Sequence, residues 1–211
     1  MKNLVVIGLK RFTFLAVLTC PAVLLWAEEK DFGKKLVEGA RVSISRAPVY
    51  DNRYVRMKYP LGDPGWKWGA CVDVVIRAFR FASNDSIDLQ KLILEDIKKA
   101  PGAYGIFSHD SNIDHRRTRN LVVFFRRNAE VLPVGSKQDA ARLYEPGDIV
   151  VWDIMGNGKP NHIGIVSDKT NANGVPFALH HFREWRGFTG RPSEDDCLFQ
   201  WPVLHHFRWK R

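Results

Sequence analysis

Sulfur is scarce in this chain: its 211 residues include three cysteines and three methionines. So few thiols exclude a scaffold built on disulfides. There is no paired Cys-x-x-Cys and no His-Glu-x-x-His, so the usual signatures of a bound metal are missing. Gly-x-Gly-x-x-Gly and phosphate-loop segments are missing too, and no nucleotide cofactor is implied. Solenoid repeats, long low-complexity tracts and recognised nucleic-acid motifs are also absent. The expectation is a protein with no metal, no cofactor and no nucleic-acid partner.

What is present is globular composition, 45% hydrophobic and 26% charged, at a length that suits one domain with a sizeable core. The first 27 residues stand apart. Lys2, Lys10 and Arg11 make a basic start, an apolar run follows between Phe12 and Trp26, and Glu28-Glu29-Lys30 comes after Ala27. That order is the order of a secretory signal peptide, and the run is too short for a stable membrane span. Residues 1–27 therefore read as a Sec-type leader and 28–211 as a single exported or periplasmic domain. Subtracting the leader's three basic residues from the formal +9 leaves +6. A basic surface suits anionic partners, which outside the cytoplasm are cell-wall polymers and lipid head groups.

Apolar spacing predicts a helix, or a helix entering a strand, over 32–44 and helices over 71–81, 88–99 and 119–128. In the second, Val72, Val75, Ile76 and Phe79 line one face while Asp73, Arg77 and Arg80 lie opposite. Residues 45–69, rich in proline, glycine and tryptophan, read as a loop leading to Cys71. Beyond the turn Glu145-Pro146-Gly147-Asp148 the chain turns β-like, with strands expected at 149–152, 161–167, 177–182, 197–202 and 204–209. Helices first and an antiparallel sheet afterwards indicate an α+β fold.

Cys71 opens a predicted helix, where the helix dipole lowers a thiol's pKa towards the nucleophilic thiolate. A buried structural thiol fits the position equally well, and a disulfide to Cys197 would silence it. A cysteine nucleophile needs a base, and the base an orienting partner. His162, at the start of a strand after a turn, is the candidate base. His180 on the next strand is the candidate orienter, with His181 on the opposite face of that strand. The pairs His180-His181 and His205-His206 do not readily share an ion for the same reason. Candidate substrate contacts are Trp66, Trp68, Asp73, His115, Arg116 and Arg117. The tryptophans either wall a cleft or pack their loop on the core. The arginines either clamp a carboxylate or are solvated, and Asp114 or Thr118 is a candidate helix cap.

A helix-terminal cysteine, a strand histidine and a polar residue on the following strand resemble the NlpC/P60 branch of papain-like enzymes, although Ala70-Cys71-Val72-Asp73 departs from that branch's Asp-Cys-Ser-Gly. A closer resemblance rests on five ordered blocks: Gly69–Ala78; Asp88-Leu89-Gln90 with Glu95-Asp96; Asn112–Arg117 with Asn120-Leu121; Pro146–Asp153; and His162–Asp168. They are similar to the bacterial family of unknown function DUF 1287. That family often has His-Asn where this chain has His180-His181, so only His180 carries over. The resemblance implies an envelope protein with an NlpC/P60-like fold, N-terminal helices packed on a small antiparallel sheet. The expected activity is that of a cysteine peptidase or amidase on peptidoglycan peptides, with the Cys71 amide helping to bind the oxyanion. A non-catalytic envelope-binding protein and an acyl transferase or thioesterase on the same fold are the alternatives.

Overall fold

The computed structural model describes residues 21–182 and 191–210, with 21–29 described by backbone alone. Most of the expected leader, residues 1–20, lies outside the described residues. The first helix, α1 (Pro21–Arg46), runs without a break through Ala27. Among its described side chains Phe32 is the first that is buried, and Leu36, Val37 and Ala40 follow at helical spacing. No described helix is long and apolar enough to cross a membrane.

Two short parallel strands, β1 (Val49–Tyr50) and β2 (Trp68–Gly69), pin the ends of the loop that sequence pattern leaves irregular. Next comes α2 (Cys71–Ser83). It ends where Asn84 adopts a left-handed conformation, and it is buried on nearly all sides between α1 and the sheet. In α3 (Leu89–Lys99) the Asp88 side chain caps the N-terminus by accepting from the Gln90 amide. Pro101 at the first position starts the single turn α4 (Pro101–Tyr104). A 3₁₀ turn at Asp114–Arg116 leads into α5 (Thr118–Asn128). Arg117 occupies that helix's N-cap with no side-chain hydrogen bond, so neither Asp114 nor Thr118 caps it. Asp114 accepts from the Asp110 amide instead, at 2.6 Å.

The remaining elements are β3 (Glu130–Leu132), α6 (Ala140–Leu143), β4 (Ile149–Trp152), β5 (His162–Thr170), β6 (Pro176–His181), β7 (Pro192–Asp195) and β8 (Val203–Arg208). The last six strands form one antiparallel sheet in the order β3-β8-β4-β5-β6-β7. The α+β expectation holds. The strand expected at 197–202 is a turn, and the edge strand lies earlier, at β7.

Side-chain alternation divides the sheet into two faces. Ile149, Val151, Ile163, Ile165, Leu179 and Phe207 pack with α1, α2, α3 and α5 in the larger core, which includes Cys71. Val150, Trp152, Val166 and Ala178 face the other way, onto Ala140, Tyr144, Cys197 and Leu198. Two glycines lock α1 to this frame. A Cβ on Gly33 would strike the Pro146 carbonyl, and one on Gly147 would strike the Gly33 backbone. Gly147 also needs φ +92°, which L side chains rarely adopt.

Candidate active site

Cys71 is the first residue of α2, with 4% of its surface exposed. Three donors converge on its sulfur: the backbone amides of Val72 and Ile163 and the Thr118 hydroxyl, each favouring the thiolate. Burial opposes them and dominates, and the Asp73 charge adds to it, so the thiol pKa is pushed up to about 11. The lowering expected from the helix terminus is therefore outweighed by desolvation. Both described cysteines are free, so Cys71 is not paired with Cys197.

Asp73 explains why the chain turns into a helix here. Its carboxylate accepts from the Ala70 amide at 2.7 Å, closing the cap three residues back. The same carboxylate takes a bidentate fork from Arg116, Nε to Oδ1 and Nη2 to Oδ2, both 2.9 Å. Arg116 gives two further hydrogens to the Arg53 and Asp51 carbonyls, so four of its five N–H donors are held. No face of that guanidinium is left for a substrate carboxylate, so Asp73 and Arg116 hold structure rather than ligand. Arg117 is exposed. His115 is buried with its Nδ1 unpartnered, and burial lowers its pKa to about 4. Trp66 lies half-exposed between the guanidinium groups of Arg46 and Arg77, each 5.2 Å from its ring, and Trp68 is exposed on β2.

His162 and His180 do meet. His162 Nε2 lies 2.8 Å from His180 Nδ1 across β5 and β6. Both are buried among Trp152, Phe182 and Trp201. The residue after His162 is Ile163, whose amide reaches the Cys71 sulfur, and alternation along β5 turns the His162 ring to the opposite face of the sheet, with Trp152. Among the described residues, the thiol makes no hydrogen bond to the His162 ring. His181 points to the helix side of the sheet, edge-on to Tyr50 at 5.3 Å. Its Nε2 is buried without a partner, and burial lowers its pKa to about 4.

Behind His180 stands a group that sequence reasoning missed. Register places Ser193 of β7 opposite His180 and Asp195 opposite Ala178, on one face. His180 Nε2 lies 3.2 Å from Asp195 Oδ1, 3.2 Å from Ser193 Oγ and 3.3 Å from Cys197 Sγ. Burial alone would raise the Asp195 pKa. Its bonds to His180, Cys197 and Ser193 instead bring it down to about 2, so it is an acceptor at neutral pH. The Cys197 thiol is pushed up strongly by burial and by Asp195. The His180, Asp195 and Cys197 donor atoms all lie within 4.8 Å of one another, close enough to share a metal ion. The only sequence signal was the spacing Asp195-x-Cys197, which carries no force until β7 is paired with β6.

The family model described as domain of unknown function DUF1287 matches residues 37–209. The chain belongs to the DUF1287 family. It is also similar to the protein of Escherichia coli strain K12 described as uncharacterized protein YijF. The two are 38% identical over 178 residues, covering 82% of this chain and 80% of that protein. No solved structure matches. The matched region spans every side chain of the site described above.

Proposed function

We propose that this DUF1287 chain is an exported cysteine hydrolase of papain-like, NlpC/P60-type architecture, acting as a peptidase or amidase on peptidoglycan peptides. The leader over residues 1–27 and the net basic charge support an envelope location and an anionic polymer as partner. The observations that carry the chemistry are a buried thiol at the start of α2 with donors about it and, on the strand that supplies one of those donors, the chain Asp195–His180–His162.

Ionised Asp195 only accepts, so it fixes the His180 proton on Nε2. His180 Nδ1 is then an acceptor, and His162 must donate from Nε2. The lone pair of His162 is left on Nδ1, so a base role for His162 falls on that atom. Burial, with the charges of His180 and His181, holds the His162 pKa well below its usual value, so the resting pair is a neutral thiol and a neutral imidazole. In the reaction, the Cys71 sulfur attacks the substrate carbonyl while its proton passes to His162 Nδ1. The proton then goes to the leaving amine, and water releases the acyl group. The Val72 and Ile163 amides and the Thr118 hydroxyl are the donors near the sulfur on which developing negative charge can rest.

The test is release of soluble muropeptides from purified sacculi by wild type and by Cys71→Ala. Release by the wild type alone supports the reading. Equal release by both removes Cys71 as the nucleophile; release by neither, with a peptidoglycan ligand binding both variants equally, favours the non-catalytic envelope-binding protein.

A further inference from the structure

His180 Nε2 has three polar neighbours at 3.2–3.3 Å: Asp195 Oδ1, Ser193 Oγ and Cys197 Sγ. A ring nitrogen carries one hydrogen or one lone pair, so it bonds well to only one of them. A small cation satisfies all of them at once. Ligands at 2.0–2.3 Å from a tetrahedral zinc stand roughly 3.3–3.6 Å apart, and the spacings seen here need to open by only a few tenths of an ångström. The other ring nitrogen is already held by His162 at 2.8 Å, which is the outer hydrogen bond that metal-bound histidines ordinarily make. Thiolate, imidazole and one carboxylate form a borderline-soft set, suited to Zn²⁺ and unsuited to Mg²⁺ or Ca²⁺.

We infer that Cys197, His180 and Asp195 form a Zn²⁺ site, with Ser193 or water in the fourth position, and that occupation of this site reverses the proton order along His180 and His162. The exchange balances. Zn²⁺ takes the Nε2 lone pair of His180, so the Nε2 proton leaves for solvent and His180 keeps its neutral form by holding a proton on Nδ1. That proton comes from His162 Nε2, and His162 in turn takes one from solvent on Nδ1. The net proton released is the one from the Cys197 thiol. With Nδ1 protonated and Nε2 accepting, His162 no longer offers a lone pair on Nδ1. If His162 is the base of a hydrolase, the ion is thus an off-switch. This consequence for turnover rests on the hydrolase reading; the binding and the proton order do not.

The experiment uses the full chain, reduced, and two readouts that need no activity. Titration with Co²⁺, followed by displacement with Zn²⁺, is expected to give one equivalent bound with a sulfur-to-cobalt charge-transfer band. That band is retained in Cys71→Ala and lost in Cys197→Ser, with affinity falling by more than the roughly 10–100-fold that outer-shell partners command. Long-range ¹H–¹⁵N spectra are expected to move the His162 proton from Nε2 to Nδ1 when Zn²⁺ is added. Absence of saturable binding, a band that survives Cys197→Ser or vanishes in Cys71→Ala, or an unmoved His162 proton overturns the inference. Should Cys197→Ser fail to fold, Asp195→Asn supplies the same comparison of affinities, and unchanged affinity there overturns it equally. Zinc binding with the proton shift, in a protein that releases no muropeptides, leaves this inference standing and removes the hydrolase reading alone.

Discussion

Two buried thiols lie against one sheet, and their surroundings are opposite in character. Cys71, on the helix side, is met by hydrogen-bond donors: two amides and a hydroxyl. Cys197, on the other side, is met by an acceptor carboxylate and a histidine nitrogen. Burial raises both, but only around Cys71 do the neighbours pull the other way. A shell of donors is built to hold negative charge on or near a sulfur. A shell of acceptors holds a proton, or a cation in its place. Burial alone therefore does not distinguish a nucleophile from a ligand; the sign of the contacts does.

The comparison breaks most visibly in turnover. Cys71→Ala is expected to lower muropeptide release by at least ~10³-fold, and His162→Ala by a similar factor, because the two act as one unit. Cys197→Ala losing as much in metal-free buffer would reverse the roles assigned to the two thiols. The next largest effect is in stability. Arg116→Ala strands the buried Asp73 carboxylate at the N-terminus of α2 and is expected to cost about 3–5 kcal/mol in urea unfolding. Arg117→Ala, one residue along and exposed, stays within about 0.5 kcal/mol. Comparable costs for the two would show that the Arg116 fork does not stabilise Asp73.

Acid acts through His115. Burial depresses its folded pKa to about 4, below the ordinary 6.5, so the unfolded chain binds the extra proton first. Stability from this group is complete above pH ~6.5 and is lost as pH falls towards 4, by about 3 kcal/mol at the limit. Urea midpoints measured across that range are expected to drop less in His115→Gln than in wild type. The smallest effect tests the donor shell directly. With a pKa near 11, Cys71 is about 10⁻⁴ thiolate at pH 7, so its alkylation is slow and rises about tenfold per pH unit. Thr118→Val removes one hydrogen bond, worth about 1 kcal/mol, and is expected to slow alkylation about five-fold at fixed pH. No slowing would take Thr118 out of the shell.

The helices were legible because apolar residues recur on one face. Val72, Val75, Ile76 and Phe79 are enough to place α2, and the structure only extends it to Ser83. The His162–His180 contact was legible for a similar reason, since two adjacent strands with period-two alternation put same-face residues together. What escaped was decided by pairing across distance. The edge strand β7 reads Pro-Ser-Glu-Asp, with no apolar alternation, and exists because β6 offers it a ladder. Ser193 and Asp195 come into the site only with that ladder. The fork from Arg116 to Asp73 joins residues 43 apart, and no local pattern separates such a structural arginine from a substrate clamp. The protonation of Cys71 escaped because helix position is written in the sequence whereas depth of burial is not.

The backbone contact between Gly33 and Gly147 has a bearing on how this chain tolerates change. Neither position can take up space released by the other, since both already sit at contact with nothing to trim. In a saturation-mutagenesis map the two should appear as paired blanks, far apart in the chain and alike in refusing every substitution. Such a pair would also limit how far the amino-terminal helix can be cut back: a chain shortened past Gly33 is expected to lose this grip on the sheet.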